Sequence, residues 1–122
     1  MPRQNLYLEF LQLCEQKNAL INTYSAHLSP NLLALFVVIA RKHAQGHPMN
    51  VSEAMGLQKM ASSAALHKRI DDLREAGMIC LIFKHADRRT KYLVPSDKGE
   101  KYLKLMGQLL RLTYRHQKQN KF

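Results

Sequence analysis

The hydrophobic period of this chain changes twice, and the two changes enclose one short stretch. Up to Ala76 the apolar residues recur at steps of three and four, the spacing of an α-helix. Past Gly77, the runs Ile79-Cys80-Leu81-Ile82-Phe83 and Tyr92-Leu93-Val94 are rich in strand formers. After Pro95-Ser96 the helical spacing returns. That pattern describes a mainly α domain with a small β-hairpin set near its C-terminal end.

The punctuation between the periodic segments divides the helical part. A helix is expected over residues 5–24, where Leu6, Phe10, Leu13, Lys17, Leu20 and Tyr24 form a stripe. Tyr7, Leu11, Cys14 and Ile21 add a second stripe, more apolar surface than an edge helix of a small domain needs. Ser29-Pro30 reads as an N-cap followed by a first-turn proline. The run from Leu32 to Ala40 is apolar nearly all round and should pass through the core. Arg41, Lys42 and His43 suit a helix C-terminus, and Gly46-His47-Pro48 ends it. Asn50 and Glu53 have capping-box spacing, which predicts a short helix to about Gln58, with Gly56 allowing another helix to approach. After a turn at Met60-Ala61, Ser62 caps a longer helix to about Ala76. Leu66, Ile70 and Leu73 are its expected buried stripe, and Gly77 suits the C′ position. The polar segment His85-Ala86-Asp87-Arg88-Arg89 reads as the hairpin loop. Ser96 caps a last helix to about Tyr114, followed by a frayed basic tail. Tyr102, Met106, Leu109, Leu110 and Thr113 line one of its faces, widened by Leu103, Leu105 and Leu112. Two short helices followed by a two-stranded ribbon make the winged helix-turn-helix arrangement.

Charge narrows the class of partner. The formal net charge is +10 over 122 residues, which points to a polyanion: nucleic acid first, an anionic membrane surface second. With 46% hydrophobic residues the chain is no disordered tail, and its length suits one domain, residues 1–122. Glu9, Gln12, Glu15 and Lys17 interrupt any apolar leader, and no run approaches bilayer length. Cys14 and Cys80 have no metal-type spacing, so reduced thiols and a cytoplasmic location are expected.

The helix capped by Ser62 is asymmetric. Ser62, Ser63, His67, Lys68 and Arg69 occupy its first half, and Asp71, Asp72 and Glu75 its second. The N-terminal turns of a recognition helix enter the major groove, and its free backbone N–H groups favour phosphate. Ala64 is small enough to let the backbone approach a base edge or a thymine methyl. The alternative is a plain amphipathic surface helix with Lys68–Asp72 and Arg69–Asp72 pairing. The hairpin favours the first reading: Arg88 and Arg89, with Lys84, His85 and Lys91 alongside, make a basic ribbon able to reach phosphates or an adjacent minor groove.

Other chemistries find less support. His43 and His47 are four apart, but Gly46 and Pro48 break the helix that would align them, so no metal is expected. Cys14 reads as a small buried hydrophobe and Cys80 as core. Asp71 and Asp72 diverge on a helix and form no catalytic dyad. No phosphate-cradling loop or nucleophile triad is present. The expectation is a protein that is no enzyme and carries no cofactor.

Three stretches carry a resemblance to a known family. They are Ile70-Asp71-Asp72-Leu73-Arg74-Glu75-Ala76-Gly77-Met78-Ile79, then Asp87-Arg88-Arg89-Thr90-Lys91-Tyr92, then Ser96-Asp97-Lys98-Gly99. This part of the chain resembles the MarR family of bacterial and archaeal regulators, with weaker similarity back to about Pro30. The resemblance implies a winged helix flanked by N- and C-terminal dimerisation helices: 5–24, a core over 29–96, and 97–115. It implies a homodimer on a pseudo-palindromic duplex operator, usually acting as a repressor of transcription. Groove contacts would fall on Ser62, Ser63, Ala64, His67 and Lys68, and wing contacts on Arg88, Arg89 and Lys91. Leu6, Phe10, Leu13, Met106, Leu109 and Leu110 would serve dimerisation. This chain departs from the family in having one C-terminal helix where two are usual and Pro95-Ser96 where Leu-Thr is usual. The shortened end helices leave no basis for predicting a small-molecule effector. Two other readings stay open at this level: a winged-helix adaptor that binds protein only, and an RNA-binding winged helix.

Overall fold

A computed structural model describes residues 2–25, 28–84 and 87–119. The elements run α1 (Pro2–Ser25), α2 (Pro30–Ala44), α3 (Val51–Met55), α4 (Ser63–Glu75), β1 (Ile79–Lys84), β2 (Asp87–Pro95) and α5 (Asp97–Gln119). The chain divides into two compact units, residues 27–99 and the terminal segments 1–26 with 100–122.

Within residues 27–99 the helix ends follow local chemistry. Ser29 Oγ accepts the Leu32 N–H at 3.2 Å and starts α2. Gly46, at φ 84°, closes it: the Gly46 N–H donates to His43 O and the His47 N–H to Lys42 O, both at 3.0 Å. This is the paired bonding of a Schellman end, and it needs a residue tolerant of the left-handed region. The Asn50–Glu53 capping box forms as expected, at 2.8 and 3.2 Å. α3 nevertheless stops at Met55 rather than near Gln58. Gly56 is its C-cap, and the space beside its Cα is occupied by the carbonyl of Glu53, not by another helix. Ser62 Oγ accepts the Ala65 N–H at 3.2 Å to begin α4. Gly77, at φ 75°, ends α4 in a second Schellman closure, with Met78 N–H to Leu73 O at 3.0 Å and Gly77 N–H to Arg74 O at 2.9 Å.

The core gathers Leu35, Phe36 and Ile39 of α2, Leu66 and Leu73 of α4, and Met78 and Leu93, all inaccessible. β1 and β2 pair antiparallel, with Ile79 opposite Pro95 and Phe83 opposite Lys91. The other edge of β2 is engaged too. Asn50 bridges Tyr92, and the Leu93 N–H donates to Met49 O at 2.7 Å. β2 thus lies between β1 and the entrance to α3, and β1 is the outer strand.

That placement corrects the expectation for Cys80, which is exposed. The alternate side chains Cys80, Ile82 and Lys84 of the outer strand are all exposed, whereas Ile79 is buried. Ser96 joins α4 to α5: its hydroxyl donates to Gly77 O and accepts the Gly99 N–H, and its N–H donates to Met78 O. Gly99 is required there, because a Cβ would collide with Met78 O and sit 3.1–3.2 Å from the Phe36 ring.

The terminal helices are built differently. Leu6, Tyr7, Leu8, Phe10 and Leu11 of α1 are each more than half exposed, as are Leu110 and Leu112 of α5. Leu13, Met106 and Leu109 are half-buried, and Glu9 and Tyr102 are buried. Burial raises the Tyr102 phenol above its ordinary pKa. α5 continues as helix to Gln119, through the stretch that reads as a frayed tail, in keeping with the absence of Gly and Pro after Gly107.

Candidate nucleic-acid interface

One face of α4 collects the residues singled out in the sequence. Ser62, Ser63, Ala64, His67 and Lys68 are all exposed, while Leu66, Ile70 and Leu73 are buried. At about 100° per residue, Ala64 and Lys68 lie opposite the buried stripe, with Ser63 and His67 on one flank. Ser62 occupies the Ala65 N–H, and the N–H groups of Ser63 and Ala64, at the first two helical positions, have no intrahelical acceptor. The exposed start of α4 is therefore a small-residue surface with backbone donors, one imidazole and one ammonium. Its second half differs: Asp71, Arg74 and Glu75 face a cleft of about 750 Å³ whose other wall is Ile79, Cys80, Leu81 and Phe83 of β1 with Lys91 of β2.

The wing places its cations in an irregular stretch of backbone. Phe83 pairs with Lys91, and the next rung joins Lys84 to Asp87. Arg88, Arg89 and Thr90 fall between these two rungs. The arginines therefore belong to the opening of β2 rather than to the loop expected at 85–89, of which residues 85 and 86 lie outside the described residues. Arg88, Arg89 and Lys91 are all exposed. The Lys91 ammonium stands 5.8 Å from the centre of the Phe83 ring, and the Lys84 ammonium 5.8 Å from that of Tyr92.

Neither a family model nor a curated protein matches the sequence. Solved structures do match. A MarR-like transcriptional regulator from Thermotoga maritima aligns with a TM-score of 0.66 at 16% identity, covering 100% of this chain and 84% of that one. RV1404 from Mycobacterium tuberculosis aligns at 0.62 with 14% identity, covering 94% and 75%. FabT of Streptococcus pneumoniae, solved in complex with DNA, aligns at 0.59 with 18% identity, covering 93% and 78%. The fold is the winged helix of MarR-like regulators. At such identities the likeness is one of architecture.

In this MarR-like winged helix the site residues that the sequence reading named on α4 and β2 are exposed. The sequence reading missed the aromatic partners of the wing lysines, which only the strand register reveals. It also missed Lys59, exposed on the turn that leads into α4, for which its position just before the Ser62 cap was the available signal. Among the described residues no group of three or more His, Cys, Asp and Glu could hold a metal ion, and no helix is long and apolar enough to cross a membrane.

Proposed function

We propose that this MarR-like winged helix is a cytoplasmic transcription regulator that binds specific sites on double-stranded DNA, acts as a homodimer and represses. One observation carries the reading: Ser62, Ser63, Ala64, His67 and Lys68 share the exposed N-terminal face of α4, on a chain of net charge +10 whose ribbon adds Arg88, Arg89 and Lys91. The start of α4 enters the major groove. There Lys68 and His67 reach base edges, Ala64 accepts a thymine methyl, and the Ser63 and Ala64 N–H groups hold a phosphate. Asp71 and Glu75 lie further along the helix, where they stay clear of the backbone. Arg88, Arg89 and Lys91 grip phosphates or the neighbouring minor groove.

Dimerisation is supported by the side chains left in water on the terminal helices, among them Leu6, Phe10 and Leu110. Joined with the half-buried Leu13, Met106 and Leu109, they are apolar side chains that a second copy would cover. A two-fold pair would set two recognition helices about one DNA turn apart.

Fluorescence anisotropy of a labelled duplex, titrated at several salt concentrations, tests the reading. Binding should weaken steeply with salt, and Arg89→Ala should weaken it on every sequence and lower the salt slope by about one. A folded protein that binds no duplex at low salt overturns it.

A further inference from the structure

The wing carries two lysines whose positions the arginines do not explain. Lys84 and Lys91 bracket the stretch Arg88–Thr90, which lies between the last two rungs of the ribbon. Phe83 and Lys91 are Cα partners, so they share one face of the ribbon; Lys84 and Tyr92, each one residue further, share the other. Each ammonium lies over the ring beside it at 5.8 Å, within the range of a cation–π contact. An exposed lysine on a bare ribbon samples many rotamers and must be ordered when it meets a phosphate. A ring face restricts it beforehand, while the ammonium's outward N–H groups remain able to donate. The backbone beneath Tyr92 is tied down as well, through its bridge to Asn50 at the start of α3.

We propose that Phe83 and Tyr92 are positioning residues for DNA binding: each ring holds one wing lysine, on opposite faces of the ribbon, so that Lys91 and Lys84 flank the arginine-bearing stretch in a preset array for the phosphates of duplex DNA. This inference rests on the DNA-binding reading above. It assigns the rings no contact with DNA; they act through the lysines.

The test compares the full chain with Phe83→Leu, Phe83→Trp, Tyr92→Leu, Lys91→Gln and the double variant Phe83→Leu/Lys91→Gln, by anisotropy on one duplex across a salt series. Phe83→Leu should weaken binding about two- to five-fold, the scale of an exposed cation–π contact, with the salt slope unchanged because no cation is lost. Phe83→Trp, with the better ring for a cation, should bind as the wild type does. Lys91→Gln should lower the slope by about one, and adding Phe83→Leu to it should cost nothing more. In the free protein, the Lys91 ε-methylene protons should show an upfield ring-current shift that Phe83→Leu abolishes. Tyr92→Leu should repeat the pattern for Lys84 and serves should Phe83→Leu fold poorly. Wild-type or tighter binding by both leucine variants overturns the proposal, the tighter case meaning that the rings withhold the lysines from phosphate. Equal losses from Phe83→Leu in the presence and absence of Lys91 overturn it too. A wild type that binds no duplex removes the DNA-binding reading and this inference together, an outcome distinct from a wild type that binds and leucine variants that match it.

Discussion

Residues 27–99 and the terminal helices use the same apolar residue types to opposite effect. In the first, Leu35, Phe36, Ile39, Leu66, Leu73, Met78 and Leu93 are sealed from water. In the second, Leu6, Phe10 and Leu110 stand more than half exposed. The winged core covers most of its own large hydrophobic side chains, with Val37, Ile82 and Phe83 as exceptions. The terminal helices carry a surplus, which in water is a cost of roughly 25 cal/mol per Å² left uncovered. The difference separates what folds the chain from what we propose assembles it.

Substitutions in each region test this difference. The largest effect should come from the core: Phe36→Ala removes a fully buried ring and should cost about 3–5 kcal/mol of stability, read from urea unfolding. Next, Phe10→Asp combined with Leu6→Asp should leave a monomer by light scattering and weaken operator binding by about a hundredfold, through loss of the second recognition helix. A dimer that survives this double change would move assembly away from α1. Lys68→Ala should then cost about 1–3 kcal/mol on the preferred site and much less on unrelated duplexes, measured as the ratio of the two affinities. Equal losses on both would make Lys68 a phosphate contact. The smallest effect is expected at Gly77, where alanine must adopt φ 75°. The loss there should be about 1–2 kcal/mol in thermal unfolding, with the DNA salt slope unchanged.

The candidate site was legible to different depths in its two halves. On α4 the Ser62 cap, the buried Leu66, Ile70 and Leu73 and the exposed Ser63, Ala64, His67 and Lys68 all follow from helical spacing. The helix is regular, and its ends answer to residues within five positions. On the ribbon, spacing was a weaker guide. Arg88 and Arg89 read as loop residues, yet they open β2, because the register shifts beyond the Phe83–Lys91 rung. Cys80 read as core because its neighbours are apolar, and it is exposed because β1 is the outer strand.

What the sequence determined by itself was the set of elements, their caps and the charge. The Ser29, Asn50 and Ser62 caps and the Gly46 and Gly77 closures are made by hydrogen bonds spanning three to five residues, so the residue types near each end suffice to specify them. Tertiary structure decided which strand edge was covered, which lysine met which ring, and why no side chain fits at position 99. Tyr92 meets Asn50, Phe83 meets Lys91, and Gly99 meets Met78 and Phe36. The first and last join residues far apart along the chain, and the Phe83–Lys91 pair is set by the hairpin register. They depend on how the hairpin and helices pack, and no local preference encodes that.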